Sequence, residues 1–219
     1  MSETKAREAD DQRSSQAHTE PGMDPDDSPW RTVAGREVYR NPWLAVTEYN
    51  VIRPDGLPGI YGVTNPGANA TIVALDEQQN VCLVGQFVYP VQRFLWSLPS
   101  GRVDDGEDPL LAARRELAEE AGLTASVWTL LGMYYLSPGI STQATFIYLA
   151  RDMTAGTPQP EGTERISLKH MPLSEAVDAC LRGEICDAVS VLGLWRAHAL
   201  LRAEEDDEGR RTRSVFGDP

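Results

Sequence analysis

Apolar positions fall in alternating or β-rich runs between residues 44 and 89, which predicts strands there. LAVTEYNVI (44–52) alternates and then meets Pro54-Asp55-Gly56, a turn signal, so Ile60 to Val63 is the expected hairpin partner. ATIVALD (70–76) and NVCLVGQFVY (80–89) are β-rich runs on either side of a polar turn. Pro109 to Ala121 then switches to helical spacing. SVWTLLGMYYL (126–136) and ATFIYLA (144–150) read as strands flanking Ser137-Pro138-Gly139. LSEAVDACLRG (173–183) and DAVSVLGLWRAHALL (187–201) carry apolar residues at helical spacing. This order predicts an α/β (mixed α+β) fold: one mixed sheet with helices packed on it, and an N-terminal hairpin region free to pack on a partner chain.

Composition divides the chain further. Of 219 residues, 41% are hydrophobic, enough for a sizeable core, and the net charge is −13. Residues 1–28 hold three basic and eight acidic side chains and show no periodicity, so a disordered acidic tail is expected. Residues 203–219 hold three basic and six acidic side chains and read as a solvated acidic tail. Between them lie an N-terminal β region (29–66) and a larger domain (67–202). The acidity argues against a nucleic-acid binder, which needs a basic stripe. No apolar run approaches the roughly 20 residues of a membrane span. Cys82, Cys180 and Cys186 are an odd number without a CxxC pair. That predicts a reduced, cytoplasmic protein with neither disulfides nor a zinc site.

The charge has one compact centre. Residues 101–123 read GRVDDGEDPLLAARRELAEEAGL. Asp108 suits a helix N-cap, Pro109 the first helical position and Gly122 a left-handed helix end. A step of about 100° per residue sets Leu110, Ala113, Leu117 and Ala121 on one apolar stripe. Glu116, Glu119 and Glu120 share another face, with Glu116 and Glu120 one turn apart. Such a run can be a solvated acidic helix face. The sharper reading is a hard divalent cation, magnesium, manganese or calcium, held by carboxylate oxygens.

Gly101, five residues, Glu107, seven residues and then Arg115-Glu116-Leu117-Ala118-Glu119-Glu120-Ala121-Gly122-Leu123 resembles the Nudix box GX5EX7REUXEEXGU at every defined position. NPWLAVTEYNVIRPDGLPGIYGV (41–63), QFVYP (86–90), WSLPSG (96–101), YYLSPG (134–139) and GEICDAVSVLGLW (183–195) are similar to the ADP-ribose pyrophosphatase-like branch of that superfamily. Pro138, sixteen residues beyond Gly122, matches a proline marker of the same branch.

The resemblance implies a Nudix α/β/α sandwich with a mixed sheet and an N-terminal antiparallel β-hairpin region. It implies a magnesium-dependent (or manganese-dependent) pyrophosphohydrolase of a nucleoside diphosphate linked to X, with an ADP-sugar such as ADP-ribose as the leading substrate. GDP-mannose, a UDP-sugar or a dinucleotide are the alternatives. Glu116, Glu120, Glu119 and the Ser100 carbonyl are the implied metal ligands. Arg115 orients the glutamates, Gly101 and Gly122 are structural, and Glu107 is either a salt-bridge partner or a metal contact. The general base in this branch comes from a late acidic loop. Here that loop is AGTPQPEGTER (155–165), where Glu164 is preferred over Glu161, with Glu119 as a further candidate.

Two departures bear on the substrate. Many relatives carry arginine where QFVYP has Val88, and Arg93 is the candidate replacement. Relatives often carry a glutamate after the SPG turn, where this chain has Gln143. Tyr89, Pro138, Gly139 and Gln143 are further substrate candidates. The branch is commonly a homodimer in which N-terminal strands help complete the partner's site, which makes Arg53 and Tyr61 candidate contributors. Trp43, Trp96, Trp128 and Trp195 read as core or interface, the cysteines as packing residues, and His170 and His198 as isolated. A rival class is a nucleotide-sensing module that binds without cleaving. All four box glutamates are present and both tails are acidic, which favours the enzyme.

Overall fold

A computed structural model describes residues 28–159 and 165–216, with side chains through residue 207. The chain divides into two compact units, one running up to Arg36 and including Tyr49–Tyr61, the other comprising Glu37–Glu48 and the chain from Gly62 onward. Strands β1 (Arg31–Arg40), β2 (Ala45–Ile52) and β3 (Pro58–Asn65) form a three-stranded sheet in that order. The β2–β3 turn closes with the Arg53 N–H donating to the Leu57 carbonyl at 2.9 Å. Every residue of β1 is exposed, so the strand has no buried face to give it an alternating signature. Within the N-terminal unit, the Tyr49 ring lies against Gly35 and Trp30 meets Tyr61 edge-on at 5.5 Å.

The larger unit is built on two sheets. Strands β4 (Asn69–Ala74), β5 (Asn80–Val88), β6 (Arg93–Ser97) and β7 (Ser100–Arg102) precede helix α1 (Pro109–Ala121). Strands β8 (Leu123–Tyr135), β9 (Ala144–Ala155) and β10 (Ser167–Pro172) follow, and then helices α2 (Leu173–Leu181) and α3 (Ala188–Phe216). The mixed sheet runs β7-β4-β9-β8, with β4 and β9 parallel and the outer pairs antiparallel. A second, antiparallel sheet runs β10-β5-β6.

Strand β4 is buried on both faces because helices cover both. Ala70, Ile72 and Ala74 pack with Ala112, Ala113, Leu117 and Ala121 of α1. Val73, with Ile147 and Leu149 of β9, packs with Leu194 and Ala197 of α3 and with residues of α2. Helix, sheet and helix thus form the α/β/α sandwich. Strands β2 to β5 and helix α1 lie where the sequence pattern places them, with the α1 bounds those of the pattern, whereas β1, β6 and β7 are strands that the pattern does not predict. The structure extends α3 through residues 203–216, where the charge pattern predicts a solvated tail; the side chains through residue 207 are exposed. No described helix is long and apolar enough to cross a membrane. All three cysteines are free; Cys82 is buried and Cys180 half-buried, whereas Cys186 is exposed and does not pack. Trp43 is also exposed, and Trp96 and Trp128 pack at the edges of the two cores.

Candidate active site

The box helix is fixed at both ends by its own sequence. The Asp108 carboxylate accepts the Leu110 and Leu111 amides at 2.8 and 3.3 Å, and Pro109 supplies a first-turn residue with no amide to satisfy. Gly122 ends the helix at φ 64°, its amide reaching back to the Ala118 and Leu117 carbonyls. The apolar stripe then settles against β4, and the three box glutamates separate by depth. Glu120 is only 3% exposed, whereas the Glu119 side chain is 35% exposed.

Strand β7 meets this helix carboxylate by carboxylate. The Ser100 amide donates to Glu120 Oε2 at 2.8 Å. The Glu116 carboxylate lies over Gly101, where a Cβ would fall 1.9 Å from Glu116 Cδ. Gly101 is therefore a glycine because a carboxylate occupies the space of its side chain. Arg115 ties the cluster together. Its Nη1 donates to Glu116 Oε1 at 2.6 Å and Glu119 Oε2 at 3.2 Å, and its Nη2 to Glu107 Oε2 at 3.1 Å and the Arg102 carbonyl at 2.9 Å. These bonds hold the Glu107 carboxyl below its ordinary range and push the Arg115 guanidinium further up. Glu107 Oε2 also accepts the Asp104 amide at 3.0 Å. Of the two roles open to Glu107, the geometry shows the salt bridge that fixes the loop to the helix.

Cys82 of β5 reports on the same charge from below. Burial first, and then the nearby Glu120 carboxylate, push its thiol up to about 11. Beside it, the carboxylates of Glu116, Glu119 and Glu120 and the backbone of Ser100 offer oxygen atoms along α1 and β7. That is a donor set for a hard divalent cation. As the described side chains stand, no three Asp, Glu, His or Cys residues surround a common metal position. Arg115 draws Glu116 and Glu119 toward itself, and the Ser100 amide draws Glu120.

The late acidic loop starts at this helix. The Gly156 amide donates to the Gly122 carbonyl at 2.6 Å, and the Gln159 amide to the Glu119 carbonyl at 2.8 Å. A Cβ on Gly122 would fall 2.5 Å from the Pro158 nitrogen, so the loop also packs where a side chain would be. Glu161 and Glu164 lie outside the described residues.

The remaining candidates sit on other elements. Arg93 is the cross-strand partner of Val88. Directly opposed residues share a face, and alternation along β5 puts Val88 on the side of Cys82, which packs in the α1-side core. Arg93 thus emerges on the α1 side of the hairpin, and Tyr89 stands 78% exposed at its tip. Pro138 and Gly139 are exposed in a turn closed by the Ile140 and Ser141 amides on the Ser137 carbonyl, and Gln143 is half-buried beyond it. That turn is pinned to β3 by the Thr64 amide on the Ile140 carbonyl at 2.8 Å. Arg53 and Tyr61 belong to the N-terminal unit, where Arg53 is paired with Asp55. The sequence reading missed Asp187 and Ser190, whose Asp-x-x-Ser spacing before an apolar run is a helix-start signal.

Comparison with known proteins agrees with this geometry. Residues 65–190 match the NUDIX domain family, and residues 30–64 match the nucleoside diphosphate sugar hydrolase N-terminal domain. The chain is 32% identical over 174 residues to the ADP-ribose pyrophosphatase of Mycobacterium tuberculosis, covering 78% of this chain and 84% of the relative. It is 32% identical over 168 residues to the CMP-5'-(N-acetyl-N-hydroxy-3-aminopropyl)phosphonate hydrolase of Streptomyces rubellomurinus, covering 75% and 80%. The crystal structure of an ADP compounds hydrolase superposes with a TM-score of 0.73 at 20% identity, covering 80% of this chain and 95% of that one, which shows the shared fold. With the box complete, three of its glutamates gathered around one arginine and the fourth held by β7, the chain belongs to the Nudix hydrolase family and carries the N-terminal domain of nucleoside diphosphate sugar hydrolases.

Proposed function

We propose that the protein is a divalent-cation-dependent pyrophosphohydrolase of nucleoside diphosphate sugars, with ADP-ribose, cleaved to AMP and ribose 5-phosphate, as its leading substrate. The observation that carries this reading is the nearly buried Glu120 carboxylate, one turn from Glu116, held by the Ser100 amide. Glu116, Glu120, Glu119 and the Ser100 carbonyl would hold magnesium, or manganese in its place. The cation supplies charge neutralisation on the diphosphate and polarisation of the phosphorus under attack.

The chain's own residues do the rest. Arg115 keeps Glu116 and Glu119 aligned along α1, and Glu107 keeps Arg115 in place. Arg93, on the α1 side of its hairpin, is the cationic side chain for the substrate phosphates, standing across from Val88. Tyr89 offers an exposed ring for a base, and Pro138, Gly139 and Gln143 shape the other substrate-facing turn. The general base comes from the loop tethered at Gln159. Glu164 is the preferred residue, with Glu161 and Glu119 next.

The fully exposed β1 strand, with Val33, Val38 and Tyr39 outward, supports a homodimer formed through the N-terminal sheet. Arg53 and Tyr61 are then assigned to the site of the second copy. Three free thiols suit a reducing, cytoplasmic setting.

The test is a panel of nucleoside diphosphate compounds with magnesium, products read by mass in 18O-labelled water. ADP-ribose turned over to AMP and ribose 5-phosphate is the expected result. Preferred turnover of GDP-mannose, a UDP-sugar or a dinucleotide reassigns X, and binding without turnover of any member overturns the enzymatic reading.

A further inference from the structure

We propose that Asp187 and Ser190, at the start of α3, are positioning residues for the cation site. They act through the Leu98 amide to fix Ser100 and, through Ser100, the Glu120 carboxylate. This inference rests on the reading of Glu120 and Ser100 as ligands.

Ser190 is 1% exposed on a helix face whose other buried residues, Val189, Gly193, Leu194 and Ala197, carry no polar side chain. Alanine would fill that position, so the hydroxyl needs a separate explanation. It donates to Asp187 Oδ2 at 2.6 Å and accepts the Leu98 amide at 2.8 Å. Asp187 Oδ2 also accepts the Ser190 amide at 2.8 Å, which caps the helix with the same carboxylate. With its one proton committed to Asp187, the hydroxyl has only lone pairs left to offer Leu98, and the charge on Asp187 strengthens the chain.

The clamp reaches the carboxylate through a stiff link. Only Pro99 separates Leu98 from Ser100, and its φ is locked by its ring. The Pro99 carbonyl is itself held by the Ile72 amide of β4 at 2.9 Å. The next amide, Ser100, is the one that donates to Glu120 at 2.8 Å. Three consecutive residues are thus each tied to a different element: Leu98 to α3, Pro99 to β4 and Ser100 to α1. Nothing in this segment is free to turn once Ser190 holds its first amide. A ligand set oriented from behind in this way typically loses about 10–100-fold in metal affinity when the support is removed.

The experiment uses the full chain, Mn2+ as the probe titrated by electron paramagnetic resonance, and amide exchange at Ser100 followed by NMR. In Ser190→Ala the Mn2+ dissociation constant should rise about tenfold, with faster exchange at Ser100, and Ser190→Thr should restore both. Asp187→Asn should fall between. Val177→Ala, a core truncation on α2 chosen for a comparable loss of Tm, should leave both at wild-type values. Wild-type Mn2+ affinity in Ser190→Ala overturns the proposal, as does an equal loss in Val177→Ala. Should Ser190→Ala fail to fold, Asp187→Asn decides, and wild-type affinity there overturns it. Glu120→Gln separates the two levels. Tight Mn2+ binding in that variant sinks the ligand reading itself. Lost binding there with an unaffected Ser190→Ala sinks only the relay.

Discussion

The two faces of the mixed sheet are built on different terms. Toward α3 the packing is large and aliphatic, with Val73, Leu98, Ile147, Leu149 and Leu194 fully buried. Toward α1 the sheet and helix meet through small residues, Ala70, Ala74, Ala112, Ala113 and Ala121, with Ile72, Leu117 and Tyr148 as the larger buried side chains and Trp128, Phe146 and Met153 half-buried around them. Small residues let α1 lie close, and closeness is what presses Glu116 onto Gly101 and Glu120 onto the Ser100 amide. One face supplies stability that tolerates no cavity. The other gives up aliphatic burial to bring carboxylates against a strand.

Substitutions can separate the two contributions. The largest effect on turnover belongs to Glu120→Gln, which should lose on the order of 10³-fold in kcat while circular dichroism and Tm stay near wild type; full magnesium-dependent activity would remove Glu120 from the ligand set. Gly101→Ala comes next. Its methyl group must displace the Glu116 carboxylate, so kcat should fall by roughly 10²-fold in a folded protein, and an unchanged rate would show that the Glu116 position is immaterial. Glu164→Gln should slow hydrolysis by about 10²-fold with Mn2+ affinity intact. Unchanged turnover would transfer the base to Glu161 or Glu119.

Leu194→Ala makes the opposite cut, on the α3 face. A fully buried leucine truncated there should cost about 2–5 kcal/mol of stability in urea unfolding, with kcat per folded molecule unchanged. A parallel loss of kcat would show that the faces are not separable. The smallest effect is in acid. Arg115 holds the Glu107 carboxyl below its ordinary 4.5. That pair therefore stabilises the fold above about 4.5, and the contribution disappears as pH falls through the lower folded value. Glu107→Gln should flatten the acid limb of stability in that window and leave it unchanged at pH 7 to 8 in shape. An identical acid limb in both proteins would remove Glu107 from the ledger of acid stability.

What the sequence reveals follows the same division. Helix α1 is legible to the residue because cap, proline, apolar stripe and terminal glycine are all local signals. Strand β1 is not, since it buries neither face and RTVAGREVYR has no stripe to read. Strand β7 spans three residues, too few for any period, and its importance lies in Gly101 and Ser100 meeting a helix fifteen or more positions away. The cross-strand position of Arg93 is set by the hairpin register, which no local pattern encodes. The length of α3 was hidden for another reason. Charged residues sustain a helix that packing has already begun, while their lack of apolar spacing makes them look like a loose tail. Ser190 is invisible for a similar reason, because a serine among apolar residues gives no hint of the amide it holds.

Gly122 carries one more consequence, for anyone who would exchange parts between relatives. Its carbonyl accepts Gly156, its missing side chain is replaced by Pro158, and the Glu119 carbonyl three residues earlier accepts Gln159. The end of the helix and the beginning of the late loop are therefore a single transplantable piece. A chimera that replaces only residues 160–164 inherits an intact joint and reports on the loop's own chemistry. One that replaces 155–165 without 119–122 brings in a foreign hinge, and its activity measures the mismatch.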